Sequence, residues 1–598
     1  MNTETKQCQN CKSQFTIEPE DFNFYEKIKV PAPTFCPECR LQRKLIFRNI
    51  RNLYKRKCDA PGHTEDLISI YRLETQARVY DQKFWWSDAW DATEYGKSYD
   101  FSRNFFEQFG ELMREVPWPN LVSTNSVNSD YCNSVLNMKN CYLIFAATDS
   151  ENCGYGEQIE FTKDSFDLKR AHKNELCYET LGCNNCYRTV FSAYSDDCSD
   201  CAFVWDSRGC TNCFGCVGLR NKSYYIFNKP YSREEYFERL KQYNLGSFKE
   251  LSAAKAEFFK FSLTQPRRYA RIYHSVNSTG DNLKNAKNCM VCFESFGDGI
   301  EDSRYADHLY GKPSRDCHSV FTLGGGELCY ESISIRDCSR ILFSKKIWTG
   351  HNVEYSYNCH NCSNIFGCVG LRNKNYCILN KQYGEREYNE LIQKIKEQMM
   401  DMPYTDQKGR LYKYGEFFPP ELSFFAYNET VNLEYSPLRK SEAEARGYKW
   451  KERDKKHYQI TKPSRELPDH ISEVNDSILN EVIGCAHEGK CDEECITAFK
   501  LIPQELAFYN KMNLPLPRLC HNCRHFERLK QKNLPKLWHR ACQCNGEESE
   551  KRQGGNVYKN TVPHFHGSDH CPNEFETSYA PERPEIVYCE NCYNSEVV

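Results

Sequence analysis

Cysteines in the middle of this chain recur on a short fixed period, and that period limits the possible fold more than any other feature. Cys186, Cys198 and Cys210 stand twelve residues apart, Cys201 and Cys213 repeat the interval, and Cys141 and Cys153 repeat it again, each near Asn, Asp or Gly. A repeat this short cannot bury its own apolar side. Successive repeats therefore stack into parallel coils, in which like residues form ladders and ordered turns hold the corners. The stretch is also duplicated. FGCVGLRNKSYYIFNKPYSREEY beginning at Phe214 returns as FGCVGLRNKNYCILNKQYGEREY beginning at Phe366, an offset of 152 that also places Cys177 on Cys329. With small gaps the match reaches back to Cys141 and Cys289. The expected fold is mainly β and multi-domain, with two tandem parallel β-solenoid arrays over 123–247 and 248–400, each closed by a short helix. In the first closing helix Ser232 and Glu235 form a capping box, and Tyr236, Leu240 and Tyr243 make one apolar face. In the second, Tyr388, Ile392 and Ile395 take the matching places behind Gly384.

The chain holds 35 cysteines in 598 residues, an odd number, and many fall in CxxC pairs. Its opening, MNTETKQCQNCKSQF, lacks a basic region followed by an apolar core, so a reducing cytoplasm is the expected compartment. In that setting the cysteines are expected to be thiolate ligands of a metal together with buried reduced thiols. No apolar run approaches the roughly 18 to 20 residues that cross a bilayer, and mean hydropathy is −0.75, so no membrane role is expected. Lys and Arg number 79 against 82 Asp and Glu, which excludes a global polyanion-binding signal.

Near the start, Cys8, Cys11, Cys36 and Cys39 form two CxxC pairs with twenty-four residues between them. That spacing suits tetrahedral Zn²⁺, because each pair closes a tight knuckle and the intervening segment returns to the ion. RLQRKLIFRNIRNLYKRK follows Cys39 without Gly or Pro and places Leu41, Leu45 and Ile46 at helical spacing, so Cys39 is expected to open a helix in treble-clef fashion. Sliding the chain by 484 positions lays Cys495 on Cys11, Tyr509 on Tyr25, Cys520 and Cys523 on Cys36 and Cys39, and Cys542 on Cys58, without a gap. The second site is expected to be Cys491, Cys495, Cys520 and Cys523, with Cys485 as the alternative to Cys491. A third is expected at Cys542, Cys544, Cys589 and Cys592, with Cys571 able to replace either of the first two and His564, His566 and His570 nearby. The first copy has Asp81 and Phe84 where Cys589 and Cys592 stand, and packing by Phe84, Trp85, Trp86 and Trp90 is expected to substitute for that metal.

Both fingers resemble the bacterial probable zinc-ribbon domain family, through Cys8, Cys11, Phe15, Asp21, Phe24, Tyr25, Pro33, Cys36, Pro37, Cys39 and Arg40 in the first copy. The second copy keeps Glu505, Phe508 and Tyr509 but has His521 in place of the proline and a longer knuckle. In layout the whole chain also resembles large uncharacterised zinc-ribbon proteins of small-genome bacteria. The resemblance implies zinc binding and no known activity.

The units expected are a finger over 1–60, a metal-free ribbon remnant and linking helix over 61–122, the two arrays, an irregular connecting region over 401–480, the second finger over 481–541 and a C-terminal ribbon over 542–598. The linking helix is placed over Phe101–Leu121 with Ser102 as its cap. Array cysteines are expected to be buried thiols, the alternatives being thiolate quartets built from CNNC, CSDC and CTNC at Cys183–Cys213, or redox disulfides.

Four-thiolate zinc leaves no open coordination position, so the leading functional expectation is a non-catalytic scaffold with a protein partner. The alternative is RNA or DNA binding through Arg40, Arg43, Lys44, Arg48, Arg51, Lys55, Arg56 and Lys57, which crowd eighteen residues without an acid. A third class is a solenoid-type or thiol-redox enzyme, for which Asp302, Asp307, His308 and His318 lie close in sequence.

Overall fold

Residues 123–378 wind about 20 turns of β-solenoid in a protein that is mainly β, with 29% strand against 23% helix. The structure is a computed structural model that describes residues 2–311, 313–336, 339–453, 458–552 and 554–597. Each side of a coil spans three residues. Cys141 points inward and is buried, Tyr142 bridges in parallel to Gly154 on the next coil, and Leu143 turns the corner with φ 52°. Ile144, Phe145 and Ala146 repeat the sequence, Phe145 pairing with Glu157 and Ala146 having φ 51°. Four such sides make the twelve-residue coil. Its corners lie in the left-handed region, where Asn and Asp are tolerated best after Gly because the short polar side chain bonds locally. At one corner Asn128, Asn140, Asn152 and Asp164 form a ladder with links of 3.4, 3.1 and 2.9 Å, and this explains the Asn and Asp that accompany the cysteines.

The inward position takes mostly Cys, Ser, Thr, Ala or Val, with Met138, Ile144, Ile159 and Leu168 among the larger exceptions. Cys177 Sγ donates to the carbonyl oxygen of Glu175 at 3.4 Å and to that of Cys186 on the next coil at 3.5 Å. Ser195 makes the equivalent bonds to Ala193 and Val204, at 3.0 and 3.4 Å. The array cysteine thus serves as a small buried donor, interchangeable in role with serine, and desolvation pushes Cys132 and Cys177 up to about 12. Thiols of the CNNC, CSDC and CTNC pairs likewise face inward and bond to carbonyls, as Cys198 does to Asp196 and Cys210 to Arg208.

Two coils are wider. Met290, Arg304 and His318 pair at intervals of fourteen residues, after which Cys317 and Cys329 restore twelve. These expansions account for an offset that is 148 at Cys141 and Cys289 but 152 at Cys177 and Cys329.

Helices intervene where expected. Ser232 and Glu235 form the capping box of the Arg233–Leu240 helix, and Tyr236 is buried against Tyr224 with ring centroids 5.7 Å apart. Tyr388 in the Glu385–Asp401 helix sits 5.6 Å from Tyr376 in the same way, while Ile392, Ile395 and Met399 continue the buried face. An unforeseen helix, Phe248–Ser262, lies back along the coils and pairs Lys255 with Glu179. The linking helix spans Phe105–Glu115 only, because Asn104 and not Ser102 receives the backbone N–H of Glu107. Residues 401–480 hold the short elements expected of them, yet Phe417, Phe418, Tyr427, Asn432 and Tyr435 are all buried.

Because Ser165, Cys177 and Thr189 occupy one inward column, Cys177→Ser is expected to change stability by less than about 1 kcal/mol, whereas Cys177→Leu costs about 1–3 kcal/mol by overpacking. Urea unfolding of the two variants checks this.

Candidate metal centres

The first knuckle is a hairpin. Glu4–Gln7 pairs antiparallel with Gln14–Ile17, and the N–H of Cys8 bonds to the Ser13 carbonyl at 2.9 Å. Lys12 turns the chain with φ 63°. The second pair stands at a helix start, where Cys36 caps Pro37–Leu45 and Pro37 occupies a position that needs no N–H. The partial positive charge at that end favours thiolate. The N–H of Cys36 points at Cys8 Sγ, 3.3 Å away, and Asn10 donates to Cys39 Sγ at 3.3 Å. Cys11 and Cys36 sulfurs are 3.7 Å apart, and ligand atoms of all four cysteines lie within 4.8 Å of one another. Zn–S bonds of about 2.3 Å in a tetrahedron set the sulfurs about 3.8 Å apart, so the group fits a metal ion. Thiol donation from Cys36 and Cys39 holds Cys8 far below the usual thiol range.

The second finger repeats this, with one correction. Ile483–Gly484 pairs with Ala498–Phe499, the N–H of Cys485 bonds to the Thr497 carbonyl at 2.8 Å, and Cys520 N–H points at Cys485 Sγ at 3.3 Å. The converging group is Cys485, Cys495, Cys520 and Cys523, with Cys520–Cys523 at 3.5 Å, Cys485–Cys523 at 3.8 Å and Cys520–Cys495 at 4.0 Å. Cys491, the residue favoured from spacing, lies 3.7 Å from Cys523 and falls in a separate group of His487, Cys491, Glu493 and Cys523, which shares Cys523 with the quartet. The first ligand is the residue that ends the strand, which is Cys8 in one copy and Cys485 in the other. Nine residues lie between Cys485 and Cys495 where two lie between Cys8 and Cys11, and this added loop carries Cys491 outward.

In the C-terminal ribbon, Trp538–Ala541 pairs with Glu574–Thr577, and Cys542, Cys571, Cys589 and Cys592 converge. Cys571–Cys589 is 3.8 Å and Cys592–Cys571 is 3.6 Å. Cys544, expected in this set, is replaced by Cys571, whose N–H bonds to the Cys544 carbonyl at 2.9 Å, and Cys544 Sγ lies instead against His564. The first copy keeps the ribbon without the quartet. Tyr54–Lys57 pairs with Asp66–Ser69, and Asp81 N–H points at Cys58 Sγ at 3.3 Å, as Cys589 N–H points at Cys542 Sγ at 3.1 Å. Buried Trp85 and Trp90 fill the space, while Trp86 is 42% exposed.

The fingers dock crosswise on the solenoid. Tyr25 meets Tyr330 with centroids 5.4 Å apart, and Tyr509 meets Tyr178, the residue 152 positions earlier, at 5.5 Å. Arg40 stacks over Tyr305 at 5.2 Å and Arg524 over Tyr155 at 4.6 Å. Tyr305 hydroxyl donates to Asp21 at 3.1 Å, and Tyr155 hydroxyl to Glu505 at 2.9 Å.

This docking removes most of the basic segment from solvent. Arg40, Arg43 and Lys44 are buried. Arg43 bonds both oxygens of Glu331 at 2.7 Å and Glu416 at 2.7 Å. Lys44 reaches the Ser319 carbonyl, Arg48 reaches Ser334, and Arg51 pairs with Glu157. Arg56 pairs with Asp59, and the exposed Lys55 and Lys57 share Asp66. The helix ends at Leu45, and Tyr54–Lys57 is a strand rather than its continuation. His308 bonds Tyr435 and His318 stacks on Phe24 at 3.5 Å; burial pushes both imidazoles well below their usual range, so both are neutral packing groups. Asp302 accepts from Asn288 in a corner ladder.

No protein-family model matches the chain, and no curated protein matches it. Among the described residues no helix is long and apolar enough to cross a membrane.

Two outcomes follow from this geometry. Cys485→Ala is expected to lower bound metal by one equivalent in native mass spectrometry, while Cys491→Ala leaves the Cys485 quartet loaded. Arg43→Ala strands Glu331 and Glu416 in the interior and is expected to destabilise the fold by about 3–5 kcal/mol in denaturant titration.

Proposed function

We propose that this chain is a non-catalytic zinc scaffold that acts by binding a protein partner in the cytoplasm. The supporting observation is the closed character of its metal centres: three groups of four cysteine sulfurs converge, and Zn²⁺ held by four thiolates has no position left for substrate or water. Structural zinc contributes about 10–16 kcal/mol of apparent binding energy, enough to hold modules with small apolar cores. We read both fingers as treble-clef members of the zinc-ribbon family they resemble. We read the solenoid as two copies of one array, a view favoured by the matched contacts of Tyr178 and Tyr330.

Two other readings lose support. Nucleic-acid binding through the segment after Cys39 requires guanidinium groups that reach phosphate, and Arg40 and Arg43 are spent on tyrosines and carboxylates inside the protein. Thiol-redox catalysis requires a reachable thiolate, and the array cysteines among the described residues are buried, Cys177 for one donating to a carbonyl.

Elemental analysis of the purified full chain is expected to find zinc, and its removal with a chelator is expected to unfold the terminal modules, followed by circular dichroism. Affinity capture from the native cell, with nuclease added to half the sample, tests the partner: defined proteins surviving digestion support a scaffold. Nucleic acid that disappears on digestion, with a steep salt dependence of binding, overturns it.

A further inference from the structure

Once Cys542, Cys571, Cys589 and Cys592 are grouped, the C-terminal ribbon retains a second set of converging donors. Cys544 Sγ lies 3.1 Å from His564 Nδ1, and Cys592 Sγ lies 3.4 Å from His566 Nε2. Ligand atoms of Cys544, His564, His566 and Cys592 fall within 4.8 Å of one another, and Cys592 belongs to both sets.

Each imidazole is also preset as a ligand. His564 Nε2 is held by Glu596 at 2.8 Å, with both side chains fully buried, so that nitrogen carries the proton and Nδ1 presents its lone pair to the group. Glu596 is itself fixed by Tyr558 hydroxyl at 2.8 Å and Thr561 hydroxyl at 2.7 Å. His566 donates from Nδ1 to the Asp569 carbonyl at 2.7 Å, leaving Nε2 unprotonated and turned toward Cys592. Asn560 donates to Cys544 Sγ at 3.2 Å, which favours the thiolate. A far-side acceptor on one ring nitrogen, with the other aimed inward, is the arrangement that surrounds metal-bound histidine.

We infer that the C-terminal ribbon holds two zinc ions rather than one, the second bound by Cys544, His564, His566 and Cys592, with the Cys592 thiolate bridging the pair. The inference rests on the zinc reading proposed above. Seven side chains cannot fill eight positions unless one is shared, and Cys592 is the residue common to both groups. Sharing also limits the charge: five thiolates face two dications, whereas two separate four-thiolate sites would gather eight. Two soft sulfurs with two imidazoles form a donor set that suits Zn²⁺ and would be poor for Mg²⁺ or Ca²⁺. Cys544, His564 and Glu596 could in outline be a thiol, imidazole and carboxylate relay, but Cys544 has no exposed surface, so a substrate cannot reach it. The second ion would tie the loop carrying His564 and His566 to the Glu590–Val597 helix. That helix in turn anchors the ribbon on the solenoid through Tyr593 hydroxyl and Asp206 at 2.6 Å.

Anomalous diffraction at the zinc edge from crystals of the full chain is expected to give two peaks flanking Cys592 Sγ, less than about 4.6 Å apart, twice a Zn–S bond. A single peak among Cys542, Cys571, Cys589 and Cys592 overturns the second ion and leaves the zinc reading standing. No peak at any cysteine group overturns the zinc reading itself. Native mass spectrometry provides an independent count: the His564→Ala/His566→Ala variant is expected to lose one zinc equivalent, while His570→Ala, altering an exposed residue paired with Glu550, loses none. Full retention of metal in the double variant overturns the inference, and if that variant fails to fold, the wild-type anomalous peaks decide.

Discussion

Two guanidinium groups buried between finger and solenoid hold this protein together. Arg40 and Arg524 each emerge one residue after the last cysteine of a quartet, cross the interface and lie against a tyrosine of the coil wall. A cation on an aromatic face contributes about 0.5–2 kcal/mol, more where water is excluded. The larger consequence is positional. Guanidinium groups this deep need partners: Arg524 pairs with Asp167 of the coil and with Glu505, and Arg40 donates to the hydroxyls of Tyr25 and of Tyr330 on the coil, contacts that form only when finger and coil are in one register. Docking therefore depends on the fingers being folded.

The solenoid provides the complementary surface. A three-residue side leaves one residue to the interior, one to the ladder and one to a left-handed corner, and corner residues such as Tyr155 and Tyr305 project their rings outward. Twelve-residue spacing repeats these projections along the wall, and the first widened coil raises the offset from 148 to the 150 that separates Tyr155 from Tyr305. Tyr178 and Tyr330 meet their fingers in nearly the same edge-on geometry.

Much of this could be read from the residues. The period at Cys186, Cys198 and Cys210, the repeat at Phe214 and Phe366, the capping box at Ser232 and the convergence of Cys8, Cys11, Cys36 and Cys39 all depend on local chemistry or fixed spacing. The choice of Cys485 over Cys491 was less accessible: Ile483 pairs with Phe499 as Lys6 pairs with Phe15, so strand pairing in the folded chain places Cys485 where Cys8 stands, and cysteine spacing does not reveal it. Cys571 takes the place expected for Cys544, its sulfur lying 3.8 Å from Cys589 while that of Cys544 lies against His564. The basic segment misled because its sequence neighbours are all basic while its neutralising partners, Glu331 and Glu416, lie hundreds of residues away.

Taken alone, the sequence determined the coil, the duplications and the cysteine-rich modules, because periodicity and ligand spacing operate within a few residues or at a constant offset. Only the tertiary structure decided which sulfurs share a centre, that Cys592 stands in two groups, and that Arg40, Arg43 and Lys44 are interior groups. Those outcomes depend on which surfaces meet across long stretches of chain. The energy of burying a charge or orienting a thiol is set by the partner found there, and sequence neighbours carry no record of it.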